Sequence, residues 1–135
     1  MTDTFRSPDI VPFLRYRDAK AAIEWLVQVL GFERVTVVEG DDDTIDYAVL
    51  RFGSGSIQLS SPRGGEVDRP AHTMGLGGLY LVVADADAHH ERAKAAGGEI
   101  VGGLTDQLYG SREFSVRDPE GNTWSFGTYR PGAAD

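Results

Sequence analysis

The chain has 135 residues, 41% of them hydrophobic, and carries 21 acidic against 13 basic side chains, a formal charge of −8, with no cysteine. That length suits one domain with its own core, while the missing cysteine excludes disulfide frameworks, thiolate nucleophiles and cysteine-held zinc or iron–sulfur centres. Scattered basic residues on an acidic chain argue against nucleic acid; with no run near the ~20 apolar residues that cross a bilayer and no signal-peptide pattern over Met1–Arg6, a soluble cytoplasmic protein is expected.

In chain order, Ile10–Tyr16 reads as a strand, with Pro12 favouring an edge position or a late start. Asp18 then caps a helix over Ala19–Leu30, where Ala19, Ala22, Ile23, Leu26, Val29 and Leu30 recur on one face and Gly31 ends the run. Strands follow over Phe32–Glu39, Asp46–Phe52 and Ser56–Ser60, separated by the Gly40-Asp41-Asp42-Asp43 turn, read as a solvated acidic loop, and by Gly53-Ser54-Gly55. Residues Ser61–Gly77, with Pro62, Gly64, Gly65 and Pro70, have turn chemistry and no period, and read as a connection that serves either as a lid or as a plain tether. A second set follows: strand Gly78–Val83, helix Ala86–Ala96, strand Glu99–Gly102, and strands Arg112–Val116 and Thr123–Thr128 around the turn Asp118-Pro119-Glu120-Gly121-Asn122. Met1–Asp9 and Arg130–Asp135 read as flexible arms.

The two sets are a repeat. At an offset of 67 residues Asp18 lies over Asp85, Leu14–Ala19 over Leu81–Ala86, Leu30–Phe32 over Gly97–Glu99, Tyr47–Val49 over Phe114–Val116, and Ile57–Leu59 over Trp124–Phe126. One insertion-free shift covers every element, which implies pseudo-twofold symmetry and a cleft where the copies meet. Strand alternation puts Leu14, Tyr16, Ile57, Leu59, Leu79, Leu81, Val83, Trp124 and Phe126 in the core. The opposite parity holds Val11, Phe13, Arg15, Gln58, Ser60, Gly78, Tyr80, Val82, Thr123, Ser125 and Gly127, a mixed polar and aromatic face that is either a solvent face or a cleft lining.

Familiar catalytic patterns are missing. There is no nucleophile elbow, and the Gly-rich turns Gly53–Ser56 and Gly75–Gly78 lack the lysine and helix of a phosphate loop. His89 and His90 are neighbours on a helix, diverge by about 100° and cannot chelate one ion together; both read as surface residues. His72 stands alone in the connection. Glu113 is a base if buried, or an exposed strand residue, and Asp118 organises its own turn.

Three segments carry a resemblance when taken in order on the repeat: Leu14-Arg15-Tyr16-Arg17-Asp18-Ala19 leading to Leu30-Gly31-Phe32-Glu33, the helix end Ala95-Ala96-Gly97-Gly98, and the closing Asp118-Pro119-Glu120-Gly121-Asn122-Thr123-Trp124-Ser125-Phe126. Over nearly its whole length the chain resembles the vicinal oxygen chelate superfamily of glyoxalase I, extradiol dioxygenases, and bleomycin and fosfomycin resistance proteins. The resemblance implies an α+β fold of two tandem βαβββ modules forming an open, half-barrel cleft within one domain over 1–135. Module one covers about 8–61, the connection about 62–77 and module two about 78–129. It also implies a homodimer.

Metal-dependent members of that superfamily place ligands at positions that fall here on Val11, Gln58, Gly78 and Ser125. Two of these offer no donor and two offer a neutral oxygen, so the resemblance implies a lost metal site and no cofactor. What remains is a cleft for a small organic ligand, with Phe13, Tyr80 and Tyr109 for stacking and Arg15, Gln58, Ser60, Arg112 and Ser125 as polar contacts. The two arginines favour an anion and the net charge favours a cation, which leaves ligand charge open. The expected function is metal-free binding of the drug-sequestering, bleomycin-resistance type, leaning away from an enzyme. The alternatives are a metal-dependent lyase, isomerase or dioxygenase using His72, Gln58 and Glu113, and a structural or protein-binding dimer.

Overall fold

The structure is a computed structural model that describes residues 8, 10–62 and 78–130. His72, most of the connection and most of both terminal arms lie outside the described residues. The chain clusters into two compact units, Met1–Arg69 and Pro70–Asp135, each built on one four-stranded sheet, so that two tandem βαβββ modules of an α+β fold are present. No helix among the described residues is long and apolar enough to cross a membrane.

In the first unit, strand β1 (Phe13–Arg15), helix α1 (Ala19–Trp25), β2 (Glu33–Glu39), β3 (Ile45–Phe52) and β4 (Gly55–Ser60) form a sheet of order β1-β4-β3-β2. β1 runs parallel to β4 at the sheet's edge, with Phe13 opposite Gln58, and the other pairs are antiparallel. The strand starts later than the Ile10 of the sequence reading because Pro12 has no N–H to give; its carbonyl accepts from the Gln58 N–H at 2.9 Å instead. Asp18 caps α1 by accepting from the Ala21 N–H at 3.0 Å. Helix α1 and the turn that continues it bury Ala22, Ile23, Leu26, Val29 and Leu30 over Leu14, Ala48, Leu50, Ile57 and Leu59. Each fully buried Leu or Ile contributes about 1.5–3 kcal/mol. The acidic turn stays exposed, with Asp43 3.3 Å from the Lys20 ammonium group.

The second unit repeats the pattern with β5 (Leu79–Val82), α2 (Ala86–Ala95), β6 (Glu99–Asp106), β7 (Arg112–Arg117) and β8 (Thr123–Gly127), in the order β5-β8-β7-β6. β6 runs four residues past the expected end at Gly102, its Gly102-Gly103 pair being absorbed by register shifts against β7. α2 buries only Ala86 and Ala93, a thin apolar face, and two imidazoles fill the space that larger aliphatic side chains fill under α1. The His89 ring stacks on Phe126 with centroids 5.6 Å apart, and the His90 ring meets Phe114 edge-on at 5.3 Å. The surface placement expected for both histidines is therefore corrected, since each is half-buried. Leu79, expected in the core, is also half-buried, whereas Leu81, Val83, Trp124 and Phe126 are buried as expected.

A single offset does not relate the two units. Strand pairing equates β1 with β5 and β4 with β8 at 67 residues, since Phe13 faces Gln58 where Tyr80 faces Ser125. It equates β2 with β6 and β3 with β7 at 66, since Glu33 faces Arg51 where Glu99 faces Arg117. The slip begins at the end of the first helix. α2 closes with a Schellman pair, Gly98 N–H to Ala93 C=O at 2.8 Å and Gly97 N–H to Lys94 C=O at 3.1 Å, with Gly97 at φ 85°. α1 instead passes into a π turn over Leu26–Leu30, where the Phe32 N–H reaches the Leu26 C=O at 3.1 Å and Gly31 takes φ 90°. A π turn is one inserted residue in an α-helix. The longer hairpin in the second unit restores the offset, because four residues separate the Arg51 and Ser56 partners and five separate Arg117 and Thr123.

Candidate functional site

The second sheet turns its polar parity away from the Trp124 and Phe126 core. Tyr80 lies opposite Ser125 on the parallel β5–β8 pair, Ser115 lies opposite Ser125 on β7–β8, and Glu113 lies opposite Gly127. These residues share one face because they differ by two along each strand. An open cavity of about 620 Å³ lies over this face, lined by Gly78, Leu79, Tyr80, Glu113 and Ser125 together with Tyr109 and Tyr129 from outside the strands.

Three local devices hold the tyrosines. The Tyr80 ring lies against the Gly127 backbone, where a Cβ would sit 2.7 Å from its Cε1, so the glycine makes the room for it. The Tyr80 hydroxyl donates to the Tyr129 carbonyl at 2.6 Å. The Tyr129 N–H donates to Oγ of buried Ser111 at 3.1 Å, and Ser111 also closes the Tyr109 turn by accepting the Gln107 N–H on its carbonyl at 2.7 Å. The two rings so placed, Tyr109 and Tyr129, meet edge-on at 5.6 Å. The Tyr109 hydroxyl donates to Oε2 of Glu113 at 2.8 Å. That bond, aided by desolvation and by the Glu113 charge, holds the Tyr109 phenol above its ordinary value and keeps it protonated.

Of the eight candidates read from the sequence, the cavity brings together Tyr80, Tyr109 and Ser125. The first sheet gathers four others on its equivalent face. Arg15 lies 3.8 Å over the Phe13 ring and donates to Ser60 Oγ at 2.9 Å, while Gln58 pairs with Phe13 across β1 and β4. Arg112 joins neither group. Glu113, its neighbour, lines the cavity, so alternation sends Arg112 to the other face, where its Nε donates to Asp87 at 2.7 Å and its Nη1 to Asp106 at 3.1 Å. Those two carboxylates raise the guanidinium further above its ordinary value, Asp87 more than Asp106. Three contributors escaped the sequence reading. Tyr129 fell at the edge of an assumed flexible arm, Leu79 was assigned to the core, and Ser111 has no local pattern that marks it. Glu113 was legible as a carboxylate on a strand, without its facing.

The four positions implied as metal ligands fall short of a coordination set. Val11 and Gly78 have no donor side chain, Gln58 has one amide oxygen, and the Ser125 hydroxyl shares a hydrogen bond with Ser115 Oγ at 3.0 Å. Among the described residues no three of His, Cys, Asp and Glu gather closely enough to hold an ion. Such donors do not fit a divalent metal, which replaces its water with several strong ligands.

Comparison with known proteins agrees with this architecture. The family model of the Glyoxalase/Bleomycin resistance protein/Dioxygenase superfamily matches residues 9–126. An uncharacterized protein of Mycobacterium bovis, Mb0911c, is 35% identical over 128 residues, covering 89% of this chain and 82% of its own. The crystal structure of TioX from Micromonospora sp. ML1 superposes with a TM-score of 0.76 at 31% identity, over 92% of this chain and all of that one. Glyoxalase I from Zea mays shares the fold, with a TM-score of 0.72 at 21% identity over 87% of this chain and 43% of that one.

Proposed function

The chain belongs to the glyoxalase/bleomycin resistance protein/dioxygenase superfamily, and from that premise we propose that it binds a small organic molecule reversibly and without a metal, as the drug-sequestering members do. The observation that carries this reading is the cavity of the second unit, whose walls combine three tyrosine rings with the Glu113 carboxylate and the Ser125 hydroxyl. Its volume, about 620 Å³, lies within the range of drug-sized pockets. Stacking on Tyr80, Tyr109 and Tyr129 supplies apolar contact at low entropy cost, and Ser125 and Glu113 orient the ligand. Such a site needs no covalent step and no Lewis acid, which suits implied ligand positions that carry Val11, Gln58, Gly78 and Ser125. As in the resemblance that suggested it, the working form is a homodimer.

The test is a thermal-shift screen of desalted protein with bleomycin-type drugs and other aromatic compounds, with and without nickel, zinc, iron and manganese. A ligand at a hundredfold excess over its Kd stabilises by about 2.7 kcal/mol, a rise in Tm of several degrees. The expected result is such a rise with no metal requirement, and its loss in Tyr109→Ala. A flat screen, or about one ion per chain retained through desalting, overturns the reading.

A further inference from the structure

Glu113 is the one charged side chain among the described residues that line the cavity. Its Oε2 accepts the Tyr109 hydroxyl at 2.8 Å. Among the described residues no ion pair reaches Glu113, and Lys20, Arg34, Arg51, Arg112 and Arg117 each pair with another carboxylate. Arg112, one residue away, is held on the opposite face by Asp87 and Asp106. A carboxylate with no cation beside it offers an amine a charge-assisted hydrogen bond, and tyrosine rings present their negative faces to a cation.

We infer that this cavity selects a protonated amine carried on an aromatic body. An ammonium N–H donates to Glu113 Oε1, the charge lies against the rings of Tyr109 and Tyr129, and the body covers Leu79 and Tyr80. The raised pKa of Tyr109 agrees, since a phenol that stays protonated keeps donating to Glu113 Oε2. The open question of ligand charge resolves toward a cation here because the arginine expected beside this site faces away from it. The inference rests on the cavity being the binding site and adds what the site selects.

The experiment compares two probes with one ring system at mildly alkaline pH, where 9-aminoacridine is a cation with N–H donors and acridine is neutral. Both are titrated by fluorescence into the wild type, Glu113→Gln and Asp41→Asn, the last removing one charge from an exposed turn of the other unit. The expected result is that 9-aminoacridine binds the wild type and Asp41→Asn about tenfold more tightly than acridine. In Glu113→Gln, which still accepts the Tyr109 hydroxyl, that preference should disappear while acridine binds as before. Equal binding of both probes, or a preference that survives Glu113→Gln, overturns the cation selectivity and leaves the binding reading intact. No binding of either probe removes both. Circular dichroism of each variant shows that folding is unchanged.

Discussion

Asp118 is 3% exposed, and its carboxylate accepts the N–H groups of Glu120 at 3.0 Å and Asn122 at 2.9 Å, the Asn122 side-chain amide, and the Trp124 indole N–H at 3.0 Å. Its place in a turn was legible, because Asp-Pro-Glu-Gly-Asn is turn chemistry. The indole bond was not, since it joins a turn to a core ring six residues on and leaves no periodic trace. Asp118→Ala strands a buried indole donor and two backbone donors, and should lower unfolding free energy by roughly 3 kcal/mol in urea titration. A loss below roughly 1 kcal/mol would show that water takes over those donors. Tyr80 and Ser125 were found from strand parity alone, whereas Tyr129 and Ser111 act through contacts that cross the turns and have no sequence signature.

At the scale of elements, helices α1 and α2 show what periodicity can and cannot tell. The apolar stripe of α1 predicted its buried face well. In α2 the same face holds Ala86 and Ala93 plus two imidazoles, and a residue alphabet that counts histidine as polar reads it as solvent-facing. Burial is the largest cause that lowers the His89 pKa, followed by Arg92, with Asp85 opposing. The folded value therefore lies below the unfolded one, about 6.5. Above the unfolded value the ring is neutral in both states and costs nothing. As pH falls below it, the unfolded chain takes up the proton first, and stability declines until the folded value is reached. His89→Phe keeps the ring on Phe126 and removes the titration, so its denaturation midpoint should vary less than the wild type's between about pH 7 and pH 5. Parallel pH profiles would disprove the assignment.

For the whole molecule, the repeat was legible but its uniform offset was not. Sequence alignment at 67 residues places Tyr47 over Phe114, yet Phe114 is buried and Tyr47 exposed; pairing puts Ala48 in that place. An odd slip inverts every side chain of a strand, so the extra residue of the first helix had to be compensated before β4. The π turn is therefore the removable residue of the first unit. Deleting exposed Gln28 within it should give a folded protein with a slightly lower Tm, while deleting Val49 from β3 should prevent folding; similar behaviour of the two deletions in circular dichroism would argue against the equivalence. The fold as a whole was readable because patterning, capping and turn chemistry all agree. The site was read only in part, because facing on a strand is a matter of parity whereas the residues that complete a pocket come from wherever the chain turns back.

The pair of carboxylates on Arg112 has one more meaning. An arginine and a glutamate adjacent on a strand face opposite sides of the sheet, so each meets its own set of partners. Asp87, at the start of α2, and Asp106, at the end of β6, act as decoys, occupying the guanidinium on the far side of the sheet. The protein thus insulates its own cavity from its own cation, and the charge left at Glu113 is available to a visitor.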